Sequence, residues 1–143
     1  MNVGTINEEY TKENLWNGYF YHFPIGSFSY YNPETMERTG IHMDDFQVID
    51  NYLMVRMPEE VDHHKSTYIS ERADKYILRQ QVSNVVFDFE DTRFMDSSGI
   101  GIIMGRYKKI SCFGGRVFAI HADRQIRRIL HISGLGKIVE IME

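Results

Sequence analysis

The run Val82-Ser83-Asn84-Val85-Val86-Phe87-Asp88-Phe89 constrains the fold more than any other part of the chain. It is apolar and β-branched, the composition of a central strand covered on both faces. A segment of helical period lies on each side of it. Upstream, Asp62 is placed as an N-cap, and Ile69, Ala73, Tyr76 and Ile77 recur at helical spacing through Gln80. Downstream, a loop over 90–95 leads to Asp96-Ser97-Ser98-Gly99-Ile100-Gly101. A helix then runs to about Cys112, with Ile100, Ile103, Met104, Tyr107 and Ile110 expected inward and Gly114-Gly115 closing it.

The rest follows the same alternation. Phe46 and Val48, then Tyr52, Leu53, Met54, Val55 and Met57, flank Asp50-Asn51, a tolerable turn pair, so two short antiparallel strands are predicted, the second ended by Pro58. Arg116-Val117-Phe118-Ala119-Ile120 reads as a strand. Asp123 caps a third helix with Ile126, Ile129 and Leu130 inward, Gly134 stops it, and 137–142 forms a last strand. The predicted order is β-β-α-β-α-β-α-β, an α/β fold with a mixed, mainly parallel sheet and helices packed against it.

Residues 1–43 differ in character. They hold nine aromatics, Tyr10, Trp16, Tyr19, Phe20, Tyr21, Phe23, Phe28, Tyr30 and Tyr31, with few aliphatics and no sustained period. Five acids stand there against Lys12 and Arg38, so the segment carries most of the net charge of −4. So many aromatics are unusual in a disordered tail. The stretch reads either as an extension packing on the domain or a partner, or as sequence ahead of a start at Met43. The domain proper is expected over 44–143.

An acidic balance argues against a general nucleic-acid binder. No apolar run approaches the ~20 residues needed to span a bilayer, and the N-terminus lacks the basic and apolar parts of a signal peptide. Cys112 is the single cysteine, so no internal disulfide or thiol pair exists and the reducing cytosol is the expected compartment.

The chemistry-bearing segment is Asp96 to Gly101, between the end of a central strand and the mouth of a helix, where open α/β sheets place their sites. Free N–H groups and the positive dipole end favour a phosphate there. Small residues admit a close approach. From the residues alone three readings stand. Asp96 or Ser97 caps a helix and the glycines serve packing; or the loop binds a free phosphate or nucleotide, although GxxxxGK[ST] is absent; or a serine is a nucleophile, although the G-x-S-x-G elbow is absent and no histidine is placed as its base.

The run Phe94-Met95-Asp96-Ser97-Ser98-Gly99-Ile100-Gly101-Ile102-Ile103-Met104-Gly105-Arg106-Tyr107-Lys108 resembles the signature of STAS-domain anti-sigma factor antagonists, closest to the forespore sporulation type. Val61-Asp62-His63-His64 resembles that group's opening of the first helix, and Ile132-Ser133-Gly134-Leu135 with Lys137-Ile138 its closing motif, at matching spacing. The resemblance implies a STAS fold and a partner switch. The unphosphorylated form binds an anti-sigma factor, itself an ATP-dependent serine kinase, and frees a sigma factor. The kinase modifies the second serine, here Ser98, and a PP2C-type phosphatase resets it. Asp62, Asp96, Ser97, Ser98, Gly99, Ile100 and Gly101 are then the expected partner contacts, with no catalytic residue, metal or cofactor, and a monomer when free. A STAS module sensing a small ligand such as a nucleotide at the same helix mouth is the alternative. The family pattern also carries a further helix after the last strand, and segment 1–43 is a candidate cover for the face it would occupy.

His63-His64 are neighbours pointing about 100° apart on a helix and do not suit one ion. Arg106, Lys108 and Lys109, and Arg124, Arg127 and Arg128, read as solvated basic faces.

Overall fold

The computed structural model describes residues 40–42 and 45–142. Most of the aromatic segment, with its proposed packing, therefore lies outside the described residues. Strands β1 (Phe46–Ile49) and β2 (Tyr52–Arg56) form the expected hairpin. Asp50 takes φ 56° at its turn, a conformation Asp tolerates. Next come β3 (Glu60–Val61), α1 (His63–Arg79), β4 (Asn84–Asp88), β5 (Phe94–Met95), α2 (Ser97–Ser111), β6 (Val117–Ile120), α3 (Arg124–Ile132), a 3-10 turn (Leu135–Lys137) and β7 (Glu140–Ile141). The main sheet runs β1-β2-β4-β6-β7, parallel except for the hairpin.

One face of this sheet is closed. Leu53 and Val55, Val85 and Phe87, and Val117 and Ala119 lie in register across β2, β4 and β6, all of them buried. Ile69, Ala73 and Ile77 of α1, Ile102, Ile103 and Ile110 of α2, and Ile126 and Leu130 of α3 are likewise buried. The opposite face is half open: Tyr52 is 37% exposed and packs tilted against Phe118 with ring centroids 6.1 Å apart, and Ile49, in register with Tyr52, is exposed.

Three expectations need correction. A second, two-stranded parallel sheet, β3 with β5, occupies stretches read as loop. The last strand is only two residues, because the 3-10 turn takes up its start. The inward face of α2 is also rotated from the one expected. Ile100, Met104 and Tyr107 are half-exposed, whereas Ile102, Arg106 and Lys109 are buried.

The reason for that rotation is Asp74 on α1. One carboxylate oxygen forms an ion pair with Arg106 Nε at 2.9 Å and the other accepts a hydrogen bond from the Lys109 ammonium, all three side chains being nearly sealed from water. Arg106 and Lys109 are therefore no solvated face; Lys108, between them in sequence, is exposed. Burial pushes the Lys109 ammonium down to about 7, against the pull of Asp74.

Candidate functional site

The small β3–β5 ribbon builds the site. Glu60 pairs with Phe94 and Val61 with Met95. The residue after each strand is an aspartate that caps a helix: Asp62 accepts Lys65 N–H at 2.9 Å, and Asp96 accepts Ser98 N–H at 2.8 Å. Asp96 N–H in turn donates to Val61 O at 3.1 Å. Two parallel helices thus start side by side, and their positive dipole ends share one rim. Asp62 and the serine motif, 34 positions apart in sequence, are brought together here.

Within the motif the roles separate. Ser97 and Gly101 are exposed, Ser98 and Ile100 are half-exposed, and Gly99 is buried. A Cβ on Gly99 would lie 2.2 Å from Met95 Cγ and 3.3 Å from Val61 Cγ1, so Gly99 seats the helix on the ribbon. Neither serine hydroxyl has a hydrogen-bond partner among the described residues. Ser98 is held by its backbone while its Oγ stays available.

Gly101 and Gly105 have no such packing reason: a Cβ at either meets nothing within 4 Å. Each costs the helix about 1 kcal/mol relative to Ala. Gly105→Ala should therefore raise Tm by about 4–8 °C. An unchanged or lower melting temperature would show a contact at this position that the structure lacks.

The loop feeding the motif is pinned from the sheet. Arg56 holds Asp91 at 2.7 Å and reaches Glu90 at 3.7 Å. His121 Nδ1, at the end of β6, lies 2.9 Å from Asp88 Oδ1, and this bond raises the His121 pKa. Asp88, Glu90 and His121 place their ligating atoms within 4.8 Å of one another. Nothing in the sequence marked this cluster. Thr92 Oγ1 donates to Pro58 O at 2.8 Å and completes the tether. A polar cleft of about 640 Å³ opens nearby, lined by His42, Asp45, Glu59, Lys65, Asp91 and Arg93 among others, but not by Asp96, Ser97 or Ser98. His63 and His64 are both exposed at the start of α1.

A mixed sheet with a parallel core, two co-directed helices and a capped serine at their shared mouth is the architecture of a STAS domain, and the model of that domain matches residues 45–143. The chain belongs to the STAS domain family, and its relatives there are anti-sigma factor antagonists. It is 40% identical over 91 residues to the anti-sigma F factor antagonist of Paenibacillus polymyxa, covering 64% of this chain and 78% of that one. The solved structure of the anti-sigma factor antagonist SpoIIAA in its unphosphorylated form is similar, with a TM-score of 0.61 and 29% identity, covering 68% of this chain and 88% of that one. The Bacillus cell fate determinant SpoIIAA in its phosphorylated form gives 0.56, also at 29% identity, over 68% and 91% of the two chains.

Proposed function

We propose that this chain is an anti-sigma factor antagonist switched by phosphorylation of Ser98. Unphosphorylated, it binds an anti-sigma factor that is also a serine kinase, and a sigma factor is released. Phosphate on Ser98 ends the complex, and a PP2C-type phosphatase restores it. The chain itself catalyses nothing, works in the cytoplasm as a monomer when free, and needs no cofactor. The observation that carries this reading is the half-exposed Ser98 hydroxyl, unengaged, on a rigidly capped helix mouth. The existence of SpoIIAA in phosphorylated and unphosphorylated forms supports it. Asp62, Asp96, Ser97, Ile100 and Gly101 share the rim and are its contact residues, and Gly101 lets the partner reach the backbone. Gly99 contributes from beneath. Among the described residues no helix is long and apolar enough to cross a membrane.

The test is a phosphosite assay. Purified protein is incubated with ATP and extract of its native cell, and peptides are mapped by mass spectrometry beside Ser98→Ala. Phosphate on Ser98 of the native chain, absent from the variant, is the expected result. No phosphate, in an extract that modifies another antagonist, would shift the reading to a ligand-sensing module.

A further inference from the structure

We infer that Phe94 is the apolar anchor by which the unphosphorylated chain holds its anti-sigma factor, its ring seated in an apolar pocket of that partner with a basic side chain facing Glu60. The inference rests on the antagonist reading above and adds to it a contact beyond Asp62 and the Asp96 to Gly101 segment.

Strand alternation sends Met95 into the core and Phe94 outward, where it is 48% exposed. Among the described residues the other exposed Phe, Tyr or Trp ring, Tyr52, packs tilted against Phe118. No ring or cation stacks on Phe94 among the described residues. Its mount is rigid, because its N–H donates to Glu59 O at 3.1 Å and β5 is paired with β3 on that side. An aromatic ring held on a fixed backbone loses little freedom on binding, and rings of this kind dominate interface energetics.

Position links it to the switch. Phe94 is two residues before the cap Asp96 and four before Ser98, on one continuous unit of ribbon, cap and helix. A partner close enough to be repelled by phosphate on Ser98 lies over this ring as well. The exposed Glu60, in register opposite Phe94, supplies the polar edge that surrounds an apolar anchor in a specific interface, and it selects a base on the partner. Among the described residues, the other exposed large non-aromatic apolar side chains are Ile49, Ile132 and Met142, on the hairpin, at the end of α3 and just after the last strand, none of them on this unit.

The test is calorimetric titration of the full chain against purified anti-sigma F factor of Paenibacillus polymyxa, with Phe94→Leu, Phe94→Ala, Ile49→Ala and Ser98→Glu in parallel and a melting temperature for each. Phe94→Ala should weaken binding by about 30-fold or more, the loss that defines an interface hot spot. Phe94→Leu should lie between it and the native chain, and Ile49→Ala should match the native chain, with little change in Tm. Phe94→Ala within threefold of native, while Ser98→Glu still abolishes binding, would overturn the anchor and leave the switch standing. Equal losses in Phe94→Ala and Ile49→Ala would also overturn it, as adhesion without a specific pocket. No binding by the native chain, where the Paenibacillus polymyxa antagonist binds under the same conditions, would overturn the anchor for this partner and leave the antagonist reading to the phosphosite assay.

Discussion

Asn in place of Asp74 should cost this domain about 3–5 kcal/mol, the usual price of stripping one partner from a buried ion cluster. Asp74 is the acid that Arg106 and Lys109 share between α1 and α2, and its removal leaves the Arg106 cation facing a neutral amide in a seam closed to water. With total stabilities commonly about 5–15 kcal/mol, the melting temperature should fall on the order of 20 °C. A circular dichroism melt within a few degrees of native would refute the cluster's importance. The same cluster sets a pH trend of definite sign. Lys109 loses its proton near 7 in the fold, against an ordinary value of 10.5. Between those values the unfolded chain holds more protons, so stability rises with pH. Tm should therefore climb from pH 7 to 9, a window in which few other side chains titrate, and Lys109→Met should flatten the climb. A falling native curve would contradict the assigned burial.

Phosphate on Ser98 should weaken capture of the anti-sigma factor by at least about 100-fold, or some 2.7 kcal/mol, while Tm moves by only a few degrees. The two halves have different causes. Inside the molecule the dianion meets two helix N-termini and free space above an unengaged hydroxyl, so the fold tolerates it. Against a partner the same dianion must shed water beside Asp96 and Asp62, and an uncompensated charge in an interface is expensive. Titration of fully phosphorylated protein, with Ser98→Ala as a form that binds but cannot be switched off, measures both halves. A phosphorylated chain that binds normally would sink the switch. One that binds poorly because it has melted would sink the surface mechanism.

The main sheet and the three helices were legible because each carries its own periodicity and its own cap. Asp62, Asp96 and Asp123 all accept a backbone N–H in the first turn of the helix they precede. The ribbon was not legible, since two residues are too few to show a period. That gap also hid the meeting of Asp62 with Asp96 in three dimensions, although the family resemblance had placed both on the partner surface. The burial of Arg106 and Lys109 was hidden for another reason. Charges are ordinarily solvated, and Asp74, on a different helix, makes their burial tolerable. Once those two turn inward, Ile100, Met104 and Tyr107 must turn partly out.

The pairing of β3 with β5 has one more consequence. The surface around Ser98 exists only where two distant stretches of chain lie in register, so it is a discontinuous epitope. A short peptide carrying Phe94 to Gly101 would present the letters of the motif without Asp62, without the second helix mouth and without the backbone that fixes the cap. Under the proposed function, a kinase or partner reading this surface would be inspecting the fold, and unfolded copies would be silent to it whatever their abundance.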